Sequence, residues 1–119
     1  MFLMKEFSEQ TGFSIDTLRY YEKIGLLKPD RNEHGYRIYS KRDLEWVAFI
    51  KKLKATQMPL AKIIEYSELR SAGEGTLTQR KALLIEHQEK MQKELAIIID
   101  GQTAIANKIK FYEEMEKEQ

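Results

Sequence analysis

A seven-residue repeat in the carboxy-terminal third of the chain constrains the fold more than any other feature. Apolar residues occur at every seventh position without interruption: Leu77, Leu84, Met91, Ile98, Ile105 and Tyr112. A second, interrupted line lies four residues after members of the first, at Leu95 and Ile109. Charged residues fill the positions between them. This spacing predicts one long helix with a coiled-coil seam, roughly 60 Å long at 1.5 Å per residue.

A helix of this length has no domain of its own to pack on. Its apolar stripe would stay wet in a monomer, so we expect a homodimer formed through the eight residues of the two lines. Gln88 and Gln102 interrupt the second line and would help to fix the register. Gly101 costs about 1 kcal/mol relative to alanine and would mark a close crossing or a kink. The alternative is a tail that folds back on its own domain.

The stretch from Ser14 to Gly25 has the pattern of a short amphipathic helix. Its apolar side carries Ile15, Leu18 and Tyr21. Its outward side carries Asp16, Arg19, Tyr20 and Lys23. Cationic side chains can contact phosphates or guanine edges, and tyrosine hydroxyls can contact phosphate oxygens. Taken alone, the pattern fits a surface helix with solvated charges equally well.

The flanking residues favour a helix-turn-helix. Residues 1–11 predict a first helix that ends at Gly12, and Ser14 is a good cap for the second helix. Two short helices joined by a tight glycine turn are typical of this motif, although an ordinary helical hairpin shares the pattern. Residues 28–40 then predict a small β-hairpin, or wing, with its tip near residues 32–35.

The wing gathers cations and aromatic side chains on a projecting loop: Arg31, Tyr36, Arg37 and Tyr39. Tyr39 also suits a core position, whereas Arg37 is harder to explain in that way. Ser40 and Asp43 predict a capping box at the start of a third helix. The buried face of that helix is predicted to carry Leu44, Val47, Ala48, Ile50 and Leu53, widened by Trp46 and Phe49.

Pro59 is well placed to open a fourth helix. Its apolar stripe is predicted at Leu60, Ile63, Ile64 and Leu69. Residues 71–75 are predicted to form a linker. We therefore expect a mainly α protein with a winged helix-turn-helix domain at residues 1–72, followed at residues 73–119 by the linker and the long dimerisation helix.

Composition excludes several classes of function. The 119 residues contain no cysteine, which rules out disulfides, thiolate metal sites and thiol redox sensing. The two histidines, His34 and His87, are far apart, and we expect no metal and no cofactor. No signal peptide or membrane-spanning run is evident, so we expect a cytoplasmic protein that does not enter a membrane.

The charges are unevenly distributed, although the net charge is only +1. Residues 19–62 hold eleven Lys and Arg against five Asp and Glu, whereas residues 73–119 hold seven against nine. A basic front half fits the binding of a polyanion. No nucleophile–base pair or phosphate loop is evident, and Glu22, Glu65 and Glu68 fit solvated helix faces, so we do not expect an enzyme.

The motifs T-G-F-S-I-D-T-L-R-Y-Y-E-K-I-G-L-L and G-Y-R-I-Y-S, followed by the helix start at Asp43-Leu44, strongly resemble the amino-terminal domain of MerR-family transcription regulators. The resemblance covers about the first seventy residues. It implies a homodimer joined by an antiparallel coiled coil, bound to a pseudo-palindromic promoter with an overlong spacer. An effector would let the dimer bend and untwist this double-stranded DNA and so realign the promoter for RNA polymerase.

The resemblance also implies which residues contact DNA. The recognition helix would supply Thr17, Arg19 and Tyr20. The first wing would supply Arg31, Tyr36 and Arg37. A second, helical wing would supply Lys54 and Lys62.

This chain departs from the family pattern in the residues that other members use to sense their effector. Metal- and redox-sensing members use cysteines, and the aldehyde-responsive members, which F-I-K-K-L-K resembles, place one where this chain has Lys52. We expect a short member without a separate effector domain, and its effector is unknown. One hypothesis is a small hydrophobic or anionic ligand held between the long helix and the partner's DNA-binding domain, motivated by Trp46, Phe49, Tyr66 and Lys52. The alternative function is a coiled-coil protein-interaction adaptor with a relic helix-turn-helix domain.

Overall fold

Five helices and one hairpin follow one another along the chain. The computed structural model describes residues 1–119. The elements are α1 (Met4–Thr11), α2 (Ile15–Lys23), β1 (Asp30–Arg31), β2 (Arg37–Ile38), α3 (Lys41–Ala55), α4 (Leu60–Ser71) and α5 (Leu77–Glu118), with a 3-10 turn at Glu74–Thr76. The predicted mainly α architecture, with a two-helix turn, a wing and a long last helix, is confirmed. Contacts divide the chain into a front unit, residues 1–83, and a tail unit, residues 84–119.

The turn between α1 and α2 forms as the sequence predicts. Gly12 has a φ of 79°, and its backbone N–H donates to the Ser8 carbonyl at 3.0 Å, which ends α1 in the left-handed conformation that glycine tolerates. The Ser14 hydroxyl oxygen then accepts from the Thr17 backbone N–H at 3.1 Å and caps α2. Two adjacent caps of opposite type therefore fix a short turn between the helices.

The first three residues differ from the prediction. A helix was predicted from Met1, but α1 begins at Met4 and Phe2 is extended. Phe2 and Tyr39 form an antiparallel bridge, in which each backbone N–H donates to the other's carbonyl at 2.8 Å. The bridge satisfies backbone groups that a first helical turn would leave unpaired, so the extended form prevails.

The hairpin has the predicted position and tip. Its register pairs Asp30 with Ile38 and Arg31 with Arg37. At the tip, the Asn32 side-chain oxygen accepts from two backbone N–H groups at 3.0 Å each. Tyr39 is fully buried, as one interpretation predicted, and its ring stacks on Phe7 at a centroid distance of 4.0 Å. Burial, followed by the charge of Glu22, raises the pKa of the Tyr39 hydroxyl.

Helix α3 begins with the predicted capping box, since Asp43 N–H donates to the Ser40 hydroxyl and Ser40 N–H donates to the Asp43 carboxylate. The predicted buried face is partly wrong, because Ala48 is exposed. The residues that are buried are Trp46, Val47, Ile50 and Leu53. The Trp46 indole N–H donates to the Leu26 carbonyl at 2.7 Å, and the buried face of α3 includes Trp46 but not Ala48.

Helix α4 completes the front core. Ile63 is buried and Ile64 and Leu69 are half-buried, but Leu60 is 39% exposed, so its predicted place in the stripe is wrong. Leu60 is the first residue of the helix, where no preceding turn covers it. The predicted linker at residues 71–75 contains the start of the 3-10 turn.

The tail unit is one uninterrupted stretch of α5. None of its side chains is buried, and it continues through Gly101 as helix. No helix of the structure is both long and apolar enough to cross a membrane. The domain boundary that the sequence places at residue 72 stays a prediction.

Candidate nucleic-acid interface

The outward face of α2 carries the side chains that the sequence singled out. Leu18 and Tyr21 are buried, which leaves Arg19 exposed and Tyr20 48% exposed. Arg19 has neither a hydrogen bond nor an ion pair within the protein, so all its guanidinium donors are available to an external partner. Thr17 is half-buried in the first turn, and its hydroxyl oxygen accepts from the Ser14 hydroxyl at 2.9 Å.

A basic groove of about 380 Å³ lies where the start of α1, the helix α2 and the wing meet. It is lined by four cations and a tyrosine, namely Lys5, Arg19, Arg31, Tyr36 and Arg37, together with Leu3, Met4 and Gly35. No acidic side chain lines it. Lys5 was not predicted, because one lysine on a short amphipathic helix gives no signal until the wing is brought beside it. A surface of this charge suits a phosphate backbone.

Glu22 organises the wing side of the basic groove. Arg31 and Arg37 are directly opposite each other in the hairpin, an arrangement in which like charges repel. Glu22 lies on α2 and pairs with both, its carboxylate oxygens accepting from Arg37 Nε and lying 3.8 Å from Arg31 Nη2. The prediction that Glu22 is a solvated helix charge is therefore wrong, and its carboxylate links the wing to α2.

The lysines at the end of α3 contact the helix-turn-helix. Lys54 Nζ donates to the Tyr21 hydroxyl at 2.8 Å and lies over the Phe13 and Tyr21 rings. Lys51 Nζ donates to the Thr11 carbonyl at 3.1 Å. Both side chains thus brace the turn between α1 and α2. The predicted phosphate contact of Lys54 stays a prediction.

Lys62 lies apart from the basic groove, on α4. Its ammonium is 3.6 Å from the Glu65 carboxylate, and its side chain is 43% exposed. A solvent-exposed pair of this kind contributes little and leaves the lysine available to another anion. The structure therefore gathers Arg19, Arg31, Tyr36 and Arg37 in one groove, whereas the remaining predicted contacts lie outside it.

The aromatic residues of the effector hypothesis do meet, but Lys52 is not with them. Trp46 and Tyr66 stack at 5.9 Å with an interplanar angle of 15°, and Phe49 lies 5.9 Å from Tyr66. Lys52 lines a separate depression beside the exposed Ala48. The four residues consequently do not form one site within the chain.

The predicted seam of α5 is bare in the single chain. Leu77, Leu95, Ile98, Ile105, Ile109 and Tyr112 are between 52% and 62% exposed, and Leu84 and Met91 are half-buried. A contiguous apolar stripe in water is unfavourable and marks a surface that binds a partner.

The family model described as MerR HTH family regulatory protein matches residues 2–69. The HTH-type transcriptional regulator AdhR of Bacillus subtilis (strain 168) is 34% identical to this chain over 85 residues. The match covers 71% of this chain and 61% of AdhR, so the chain spans less than two thirds of the length of AdhR. The uncharacterized HTH-type transcriptional regulator YyaN of the same organism is 35% identical over 105 residues, or 77% of this chain and 76% of YyaN.

A solved structure extends the likeness to the whole fold. HiNmlR, a MerR family regulator lacking the sensor domain, has been solved bound to promoter DNA. It is 28% identical to this chain, with a TM-score of 0.82, and the match covers 95% of this chain and 90% of HiNmlR. The likeness therefore includes the long helix as well as the front unit.

Proposed function

The chain belongs to the MerR family of helix-turn-helix regulatory proteins, and on this premise we propose that it is a sequence-specific DNA-binding transcriptional regulator. The family resemblance seen in the sequence motifs is thereby confirmed. The relatives described above are regulators rather than enzymes, in agreement with the expectation that this chain is not an enzyme.

The observation that carries the proposal is the basic groove beside the exposed face of α2. Arg19 and Tyr20 project from a helix of the size that fits the major groove, and arginine recognises guanine through two donors. Arg31, Tyr36 and Arg37 add phosphate-binding groups on the wing. HiNmlR was solved with promoter DNA, which supports the same ligand for this chain.

The proposed assembly is a homodimer joined through the bare stripe of α5. Two copies related by a two-fold axis would present two recognition helices, so the preferred site would be a pseudo-palindrome. In an antiparallel pairing, residues at one end of the seam face the other end of the partner helix and residues near its middle face each other, so the apolar stripe of both copies becomes buried.

The proposed mode of action is an effector-controlled distortion of promoter DNA that presents it to RNA polymerase. A dimer that holds two half-sites can make bending or untwisting of the spacer favourable, because the added contacts offset the deformation energy. The absence of cysteine excludes a thiol as the sensor in this chain, so the effector must bind without thiol chemistry.

The test is a selection of random duplex DNA by the purified protein at two salt concentrations, with Arg19→Ala and Lys90→Ala compared on the selected site. We expect a two-fold symmetric site, a steep salt dependence and a loss of about 1–3 kcal/mol for Arg19→Ala. Lys90→Ala removes the same charge from the tail unit and should bind nearly as the wild type does. Weak, salt-insensitive binding with no preferred sequence would instead favour the protein-interaction adaptor.

A further inference from the structure

Three arginines from separate helices share two adjoining cavities in the front unit. They are Arg42 in α3, Arg70 in α4 and Arg80 in the first turn of α5, named here the arginine cluster. One cavity, of about 550 Å³, is also lined by Lys28 and Ser40, and the other, of about 280 Å³, by the Trp46–Tyr66 stack. The cluster shares no lining residue with the basic groove.

None of these guanidinium groups has a carboxylate partner. The ion pairs of the structure join Glu22 to Arg31 and Arg37, and Glu65 to Lys62. Carboxylates also line the two cavities, at Asp30, Asp43, Glu45 and Glu74, but none lies within salt-bridge distance of the cluster. Asp43 already accepts from the Ser40 backbone in the capping box. These carboxylates equal the lining cations in number, but none pairs with an arginine, so the guanidinium donors stay available to an anion that lies between them.

Neutral groups hold two members of the cluster, Arg70 and Arg80, in place. The Arg70 guanidinium carbon lies 4.4 Å from the centre of the Trp46 ring, a cation–π contact that leaves the edge of the guanidinium available. Arg80 Nε donates to the Thr76 hydroxyl and Arg80 Nη2 to the Gly73 carbonyl, each at 3.1 Å. Burial, followed by the nearby charge of Arg42, lowers the pKa of Arg70, with Asp43 opposing. Guanidinium groups that converge on one depression are a common means of binding an oxyanion.

We propose that the arginine cluster is a binding site for a small oxyanion, the carboxylate or phosphate group of a metabolite. Guanidinium groups bind both through paired N–H donors, and cavities of this size admit a small molecule rather than a polymer. A bound anion would tie the start of α5 to α3 and α4 within the front unit. Its influence on DNA affinity rests on the proposed function, whereas the binding itself does not.

The binding test uses Trp46, which is the only tryptophan and lies against Arg70. The full-length protein is titrated with inorganic phosphate and, separately, with succinate, while chloride holds the ionic strength constant. We expect a saturable change in tryptophan emission with at least one of the two anions. The anion that gives the change identifies whether the site prefers phosphate or carboxylate. Emission that follows ionic strength alone would overturn the proposal.

Two variants locate the site. Arg42 and Lys41 are adjacent and exposed, so Arg42→Gln and Lys41→Gln remove equal charge with little risk to folding. We expect at least tenfold weaker anion binding for Arg42→Gln and less than a twofold change for Lys41→Gln. Equal losses would mean a diffuse charge effect and no site. If Arg42→Gln leaves anion binding intact but weakens self-association by sedimentation, the cluster is a contact for acidic side chains of a second copy and the proposal fails.

The regulatory consequence is tested on DNA by fluorescence anisotropy with and without the anion that binds. We expect the anion to change the DNA affinity of the wild type severalfold more than that of Arg42→Gln. An equal change in both would mean that the anion merely competes for the basic groove. Failure of DNA binding itself would contradict the proposed function and leave the emission titration unaffected, so the two failures are distinguishable.

Discussion

The front unit and the tail unit solve the problem of burying apolar surface in opposite ways. Residues 1–83 enclose twelve buried apolar side chains from several elements, whereas residues 84–119 bury none. Ile105 in the tail is 62% exposed, and Phe7 in the front is fully buried. The front unit therefore draws its stability from internal contacts, while the tail needs a second chain to cover its stripe. This difference predicts which properties depend on protein concentration.

The largest effect is expected from Phe7→Ala in the front core. The substitution removes a fully buried ring that stacks on Tyr39, so we expect a loss of about 3–5 kcal/mol in the free energy of unfolding. Denaturant unfolding followed by Trp46 fluorescence would measure it. The loss should be the same at low and high protein concentration. As a control, Leu3→Ala at a 46% exposed position should cost far less, and similar losses for the two would contradict the core assignment.

The next effect is expected from Ile98→Glu in the tail. It places a charge in the proposed seam, where desolvation without a partner costs about 3 kcal/mol or more in each copy, so the dimer should be weakened at least about a hundredfold. Sedimentation velocity at several concentrations would measure it. Ile97→Glu is the matched control, because Ile97 is adjacent, 71% exposed and outside the heptad lines. Equal dissociation by both, or by neither, would show that the seam is misassigned.

A smaller effect is expected from Glu22→Gln, which acts on local order within the front unit. Arg31 and Arg37 would then oppose each other without a carboxylate between them, so we expect a loss of about 1 kcal/mol and faster amide exchange in residues 32–37. Exchange within α3 should stay unchanged. Glu65→Gln, which breaks the exposed pair with Lys62, should cost less than about 0.5 kcal/mol. Unchanged exchange in the wing would refute the role of Glu22.

The smallest effect is expected from Gly101→Ala in the tail. A Cβ at this position meets nothing within 4 Å in the chain, and alanine favours helix by about 1 kcal/mol, so the thermal midpoint of the tail should rise. Circular dichroism on heating would measure it, with Ala104→Gly expected to shift the midpoint the opposite way. A fall with Gly101→Ala would instead place a partner helix in close contact with this glycine.

The sequence predicted features whose signals are local. The Gly12 stop, the Ser14 cap and the capping box of Ser40 and Asp43 depend on neighbours within three or four residues, and all formed as predicted. The heptad also predicted a continuous α5, since its period is visible without any tertiary information.

The features that were missed depend on residues distant in sequence. Glu22 was predicted to be solvated because the helical periodicity of α2 gives no information about Arg37, its partner fifteen residues later. Phe2 was placed in a helix because its partner, Tyr39, belongs to the hairpin. Ala48 was predicted to be buried because helical periodicity alone does not show which side of α3 packs on Leu26, which the Trp46 indole contacts from twenty residues away. The arrangement of the candidate site follows from these long-range contacts, whereas its residue types follow from the motif.

The stacking of Phe7 on Tyr39 has a consequence for synthesis on the ribosome. Phe7 leaves the ribosome 32 residues ahead of the tyrosine that covers its ring, and Phe2 likewise waits for the same tyrosine as its backbone partner. At about 5–20 residues per second, this interval lasts roughly 2–6 s. During that time the nascent amino terminus carries an uncovered aromatic ring, which makes it a short-lived target for chaperones on each new chain.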